Sequence, residues 1–223
     1  MNKSITQRFK KTVLLTLLFG LNVAIAGSYD DFFKAIKSDD ASTLERLVTR
    51  GFDVNTVDPQ GQLGLLVALK EPSLKVALML IDSPQINLNA VNAQGESPLM
   101  LAALKGNFEL AQKMIQKGAD INKTGWTPLH YAASTGQLRM MSFLLEKYAY
   151  IDAESPNGTT PLMMASLYAS PESVQLLLDQ GADPLLKNEQ GLTALHFAER
   201  GKRVDAVALL SKTIRAQRPL GQW

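Results

Sequence analysis

Two histidines, His130 and His196, are the residues of this 223-residue sequence best suited to acid–base or metal chemistry. An imidazole does either job only with a partner in reach, and these two stand 66 residues apart, each in the same Leu-His step. The chain has no Cys, so it offers no thiolate nucleophile, no zinc-binding thiol and no disulfide. Gly118-Ala-Asp-Ile-Asn-Lys123-Thr124 ends like a phosphate loop but lacks the Gly before Lys that lets backbone N–H groups converge on phosphate. Asp30-Asp31 and Asp39-Asp40 imitate carboxylate pairs, yet adjacent acids in a charged segment read as solvated surface. Gly-x-Ser-x-Gly, His-Glu-x-x-His and a Ca loop are all missing from the sequence. The expectation is a chain with no catalytic residues, no cofactor and no metal site.

The elements that would position these residues repeat. Ser97-Pro98-Leu99-Met100, Thr127-Pro128-Leu129-His130, Thr160-Pro161-Leu162-Met163 and Thr193-Ala194-Leu195-His196 follow one another at steps of 30, 33 and 33 residues. About 15 residues after each comes an apolar doublet: Met114-Ile115, Leu144-Leu145, Leu177-Leu178 and Leu209-Leu210. Gly118-Ala119-Asp120-Ile121-Asn122, Gly181-Ala182-Asp183 or a degenerate version follows. The hydroxyl of Thr127 or Thr160 can cap a short helix, and Pro fits the first helical position, where no N–H is needed. Leu138, Met141, Leu144 and Leu145 fall on one stripe of a second helix. Gly51, Gly118 and Gly181 end second helices at the left-handed position that glycine adopts cheaply. Met100 and Met163 replace His at the equivalent step, which packing tolerates and a metal site does not.

This pattern resembles the ankyrin repeat, in which Thr-Pro-Leu-His, a small Ala pair, a Leu-rich helix and Gly-Ala-Asp recur every 33 residues. Weaker copies run upstream, through Leu65-Leu66-Val67-Ala68 and through Leu47 to Asn55, the former without Thr-Pro. The resemblance implies an all-α repeat fold: an ankyrin-repeat solenoid of about six helix-turn-helix units with hairpin-like fingers. Its units would be 28–61, 62–95, 96–125, 126–158, 159–191 and 192–223, within one domain over 27–223. It also implies that His130 and His196 are structural, bonded to backbone and to the Thr of the motif. A protein partner, held on the fingers and along the first helices, is the implied ligand.

Ahead of the repeats, Met1 to Lys11 carries four basic residues and no acid, and Thr12 to Tyr29 carries no charge. Val13-Leu14-Leu15-Thr16-Leu17-Leu18-Phe19 and then Ala24-Ile25-Ala26 read as the apolar core and cleavage site of a bacterial-style signal peptide over residues 1–26. The rival is an uncleaved anchor, for which this stretch is at the lower length limit. Cleavage turns a formal +2 into 19 basic against 21 acidic residues, a net −2. That sign, with export, opposes a nucleic-acid partner. The expected product is a small exported protein, monomeric, with no membrane anchor after cleavage; periplasm is the first expectation and full secretion the alternative.

Partner-binding candidates come from aligned steps. Just after the small pair, the series reads Leu69, Leu104, Ser134, Leu167, Arg200, followed by Lys70, Lys105, Thr135 and Tyr168. Leu69, Leu104 and Leu167 form either an exposed apolar strip, with Lys105, Thr135, Tyr168 and Arg200 beside it, or part of the core. The finger after Asp120 is three residues shorter than the one after Asp183 and ends in Trp126, with Tyr148 and Tyr150 one finger further on. These aromatics are either a hot spot or, for Trp126, a cover over the missing loop. Before residue 187 the mature chain has 12 basic and 18 acidic residues, and from it onward 7 and 3. A basic end is either a solvated cap or a docking patch that includes Arg215 and Arg218.

Overall fold

The computed structural model describes residues 27–217. The expected leader, 1–26, and Arg218 lie outside the described residues. Among the described residues twelve short helices follow one another: α1 (27–37), α2 (Ala41–Thr49), α3 (Gly64–Lys70), α4 (Leu74–Asp82), α5 (Pro98–Lys105), α6 (Phe108–Gln116), α7 (Pro128–Thr135), α8 (Leu138–Glu146), α9 (Pro161–Tyr168), α10 (Pro171–Asp179), α11 (Ala194–Arg200) and α12 (Val204–Gln217). Among the described residues there is no strand, only an isolated bridge between Val57 and Leu63. Odd-numbered helices stack on one another from α3 to α11, and even-numbered ones form a second row from α2 through α6 and from α8 through α12. The result is two layers of helices running along the chain, the arrangement expected of a repeat solenoid.

Local chemistry explains the odd row. Pro stands at the first position of α5, α7 and α9, and Ser97, Thr127 and Thr160 precede it in extended backbone. Ala102-Ala103, Ala132-Ala133, Ala165 and Ala198 are fully buried, so neighbouring first helices approach closely. The second unit, which lacks Thr-Pro, has Leu63-Gly64 instead. A Cβ on Gly64 would lie 2.6 Å from the Phe32 ring, so α1 occupies the space that Pro fills elsewhere. In the even row the buried face of α8 is Met140, Met141, Phe143 and Leu144. Leu138 was expected on that stripe and is 38% exposed, because it sits at the first helical position, at the edge of the packed layer.

Between units the chain projects as fingers whose turns are held by one polar side chain each. Asp58 Oδ1 accepts from the amides of Gln60 and Gln62, Asn92 Oδ1 from Gln94 and Glu96, and Asn188 Oδ1 from Gln190 and Leu192. Ser155 does the same for Thr159. A backbone bond closes each of these turns, at 2.9 to 3.1 Å, from the amide of Asp58, Asn92, Ser155 or Asn188 to the carbonyl of Gln62, Glu96, Thr159 or Leu192. The short third finger carries no counterpart of that closing bond among the described residues. Lys123 Nζ instead reaches back to the carbonyl of Gly95, at 3.0 Å.

A second set of side chains ties each finger base to the next unit. Asn55 donates to Gln85 O and accepts from the amide of Asn87; Asn89 donates to Gly118 O and accepts from Asp120; Asn122 donates to Tyr148 O and accepts from Tyr150. A primary amide serves both functions at once, as donor and acceptor. The fourth member is Asp152, which accepts from the amide of Asp183 with both oxygens, at 3.2 and 3.3 Å. Burial, more than the nearby Asp183 charge, pushes its carboxyl upward in pKa.

Candidate functional site

His130 is fully buried, and both of its ring nitrogens are engaged. Nδ1 accepts from the Thr127 amide at 3.2 Å and lies 2.9 Å from the Thr127 hydroxyl; Nε2 donates to Thr159 O at 2.9 Å, bridging to the next finger. Those partners fix the neutral tautomer with hydrogen on Nε2. Desolvation lowers the pKa of the ring to about 4, against the pull of the Thr159 carbonyl. Trp126 is half-buried and meets His130 edge-on, 5.2 Å between ring centroids. Where the chain has Met instead, sulfur takes the place of Nδ1: the Ser97 amide donates to Met100 Sδ at 3.3 Å, and the Thr160 amide to Met163 Sδ at 3.4 Å. The shared step is thus a helix cap. Among the described residues, no three His, Cys, Asp or Glu side chains gather to hold a metal ion.

The partner-binding candidates separate into two edges of the solenoid. Leu69, Leu104, Lys105, Thr135, Leu167, Tyr168 and Arg200 all stand at the last turn of α3, α5, α7, α9 or α11, where each unit's two helices join. Tyr148 and Tyr150 stand at the opposite edge, where a finger leaves α8, and Trp126 stands where the short finger enters α7. An exposed leucine strip does not form. Leu69 is 2% exposed and belongs to the core, since it packs beneath the turn from α3 to α4, and Leu104 and Leu167 are half-buried. A shallow cleft of about 300 Å³ between the second and third units is lined in part by Leu69, Pro72, Leu74 and Lys105.

Several polar candidates at the joining edge serve the stack itself. Lys105 Nζ donates to Lys70 O at 2.6 Å and the Thr135 hydroxyl to Leu104 O at 3.0 Å, each crossing to the end of the preceding first helix. Arg203, which the sequence pattern did not single out, repeats the device on the carbonyls of Tyr168 and Ala169. A cation at a helix C-terminus meets otherwise unpaired carbonyls and the negative end of the helix dipole. Tyr168 is 58% exposed, and Arg200 is exposed at the end of α11.

At the finger edge, Tyr148 is 85% exposed and Tyr150 67% exposed. Sequence reading missed the finger residues Val57 and Val91, which are also exposed. Each immediately precedes the residue that closes its turn, Asp58 or Asn92, and that shared step was the available signal. A larger cleft, of about 590 Å³, lies on the second-helix row between α8, α10 and α12, floored by Leu138, Leu176 and Leu209 and rimmed by Glu172 and Asp179.

The sequence matches the family description "Ankyrin repeats (3 copies)" in overlapping stretches over residues 32–124, 68–155, 122–188 and 151–218. Neurogenic locus notch homolog protein 1 of Danio rerio is 30% identical over 178 residues, which is 72% of this chain and 7% of that protein. The transient receptor potential cation channel subfamily A member 1 of Homo sapiens is 28% identical over 184 residues, 78% of this chain and 16% of that protein. The chain therefore spans a small part of these curated relatives. Two solved structures share the fold at a TM-score of 0.70. One is an ankyrin repeat domain from Acinetobacter baumannii, 25% identical, matched over 82% of this chain and 96% of that one. The other is a predatory endopeptidase from Bdellovibrio bacteriovorus in complex with an immunity protein, where the matched chain is 27% identical, over 82% of this chain and 97% of that one.

Proposed function

We propose that this chain, which belongs to the ankyrin repeat family, is an exported, non-catalytic protein that binds a protein partner in the periplasm and supports or restrains it there. Ankyrin repeats are protein–protein interaction modules, and the match runs through all of the described helices after α1. The observation that carries the non-catalytic part is His130. The best acid–base candidate of the chain is fully buried, with both nitrogens committed to Thr127 and Thr159. What the repeats leave outward is a varied set of side chains on two edges, suited to recognition by area and charge.

Two observations support the location and the kind of partner. The four basic residues, apolar core and Ala24-Ile25-Ala26 of the N-terminal segment favour export and cleavage. The likeness to a chain in a structure of an endopeptidase with an immunity protein favours an enzyme as the partner.

Cell fractionation of a C-terminally tagged chain tests the reading, with the periplasmic form captured and its N-terminus sequenced by mass spectrometry. The expected outcome is a periplasmic product beginning at Gly27 that co-purifies with one enzyme in fixed ratio. A cytosolic product that keeps Met1 overturns the exported assignment.

A further inference from the structure

We propose that Tyr148 and Tyr150, bracketed by the carboxylates of the adjoining units, form the docking point for an Arg- or Lys-bearing loop of the protein partner. This rests on the protein-binding reading above and adds where contact is centred and what chemistry is recognised. The first support is a departure from the chain's own rule. The residue after the C-cap of α2, α6 and α10 is Gly51, Gly118 or Gly181, with φ of +89°, +91° and +94°. At the same step after α8 stands Tyr148, with φ of +64°. A side chain in that region strains the backbone, and a large aromatic kept there against that cost serves something other than the local fold. Two residues on, Tyr150 stands where the neighbouring units have Asp120 and Asp183.

The second support is that neither ring is used by the fold. Both tyrosines are mostly exposed, and among the described residues neither ring nor hydroxyl meets a protein partner. Phe32, Phe33, Phe108, Trp126 and Phe143, by contrast, each meet another ring, edge-on or tilted. The backbone of the two tyrosines is held in place, because Asn122 donates to the carbonyl of Tyr148 at 2.7 Å and accepts from the amide of Tyr150 at 2.8 Å. Two exposed rings on a fixed backbone offer large contact area at small ordering cost, which is the character of an interface anchor.

Charge decides the occupant. Successive units are spaced by about 8–10 Å, so Asp120 and Asp183, at the step of Tyr150, lie one unit away on either side. Asp152, Glu146 and Glu154 belong to the same unit as the tyrosines. Of the nearby cations, Lys113 and Lys117 pair with Asp82 at 2.6 and 3.4 Å, Lys123 bonds Gly95 O and Lys147 lies over the Phe143 ring, which leaves exposed Lys187, in the following finger, against Asp120, Asp183, Glu146 and Glu154. Aromatic faces flanked by an excess of carboxylates favour a guanidinium or ammonium group, through cation–π and ionic attraction together.

The repeat supplies its own control variant. Tyr148→Gly with Tyr150→Asp converts the step to what the chain uses after α6 and α10, so the fold is expected to be kept or strengthened. The probe is a short end-blocked Arg-Gly peptide, with a Glu-Gly peptide as its opposite, followed by NMR on the backbone amide signals of residues 146–154, which every variant keeps. The expected result is that the Arg-Gly peptide shifts those signals, binds the double variant at least about tenfold more weakly, and is released by salt. The melting temperature of the variant should be equal or higher. A Tyr148→Phe with Tyr150→Phe chain, which keeps the rings, should keep the affinity. Equal binding to the double variant, or equal affinity for the Glu-Gly peptide, overturns the proposal. An envelope protein held equally by the chain and the double variant overturns this site and leaves the protein-binding reading standing. Failure of both chains to hold any protein, while the peptide is still read by the tyrosines, overturns the protein-binding reading alone.

Discussion

The fourth unit and the last contain the same step, Thr127 to His130 and Thr193 to His196, and the two imidazoles end in opposite surroundings. In both, Nδ1 accepts the amide of the motif Thr, at 3.2 Å in one and 3.1 Å in the other. His130 is fully buried and donates onward to Thr159 O; His196 is exposed and has no such partner among the described residues. The difference is the neighbour. A following finger lies over His130 and offers a carbonyl, whereas no further finger follows α12 within the described residues. Local sequence makes the cap, and the adjoining unit makes the burial and the second bond.

The strongest way to break this comparison is to delete each ring. His130→Ala leaves a cavity and unpaired groups at Thr127 and Thr159, and should cost about 3–4 kcal/mol in urea unfolding. His196→Ala should cost less than about 1 kcal/mol by the same measurement, because water replaces what the ring supplied. Equal costs would mean that the cap, and not the neighbour, carries the stability.

Acid titration sharpens the same contrast. The pKa of His130 is lowered from 6.5 to about 4, so the folded chain holds a neutral ring. Its contribution is complete above pH 6.5 and is lost as the pH falls towards 4, because the unfolded chain takes up the proton that the buried ring refuses. The loss amounts to up to about 3 kcal/mol, read as a falling urea midpoint. His130→Met, the residue the chain uses at Met100 and Met163, should remove most of this dependence while costing about 1–2 kcal/mol at neutral pH.

Two smaller effects test residues of the fourth unit that depart from the pattern, and both should stabilise. Tyr148→Gly relieves the left-handed strain and should raise stability by about 1 kcal/mol, seen as a higher melting temperature. Asp152→Asn restores the donor that Asn55, Asn89 and Asn122 provide, and should add about 0.5 kcal/mol at neutral pH. Because the Asp152 pKa is raised, its carboxylate weakens the fold when ionised; the gain should shrink as acid protonates it.

Much of this architecture was legible because the repeat states its own periods. Pro98, Pro128 and Pro161 marked helix starts, and Gly118 and Gly181 marked helix ends, from backbone chemistry that acts within a few residues. The leucine series was not legible, since Leu69, Leu104 and Leu167 occupy one step yet differ in burial. The turn alone does not decide it, since α3 and α9 both end in extended backbone while Leu69 is buried and Leu167 half-buried. Lys105 and Thr135 looked like free recognition residues and proved to cap the preceding helix, a contact across more than 30 positions.

By itself, then, the sequence determined the helix pairs, their caps and the surfaces each unit must bury, because these follow from periodicity and from hydrogen-bonding groups close together in the chain. Only the tertiary structure decided which repeated side chains stay free: His130 closed and His196 open, Trp126 packed, Tyr148 and Tyr150 bare. Burial is a property of the neighbouring unit's shape, and two motifs that place Thr and His alike carry no record of what is stacked against them.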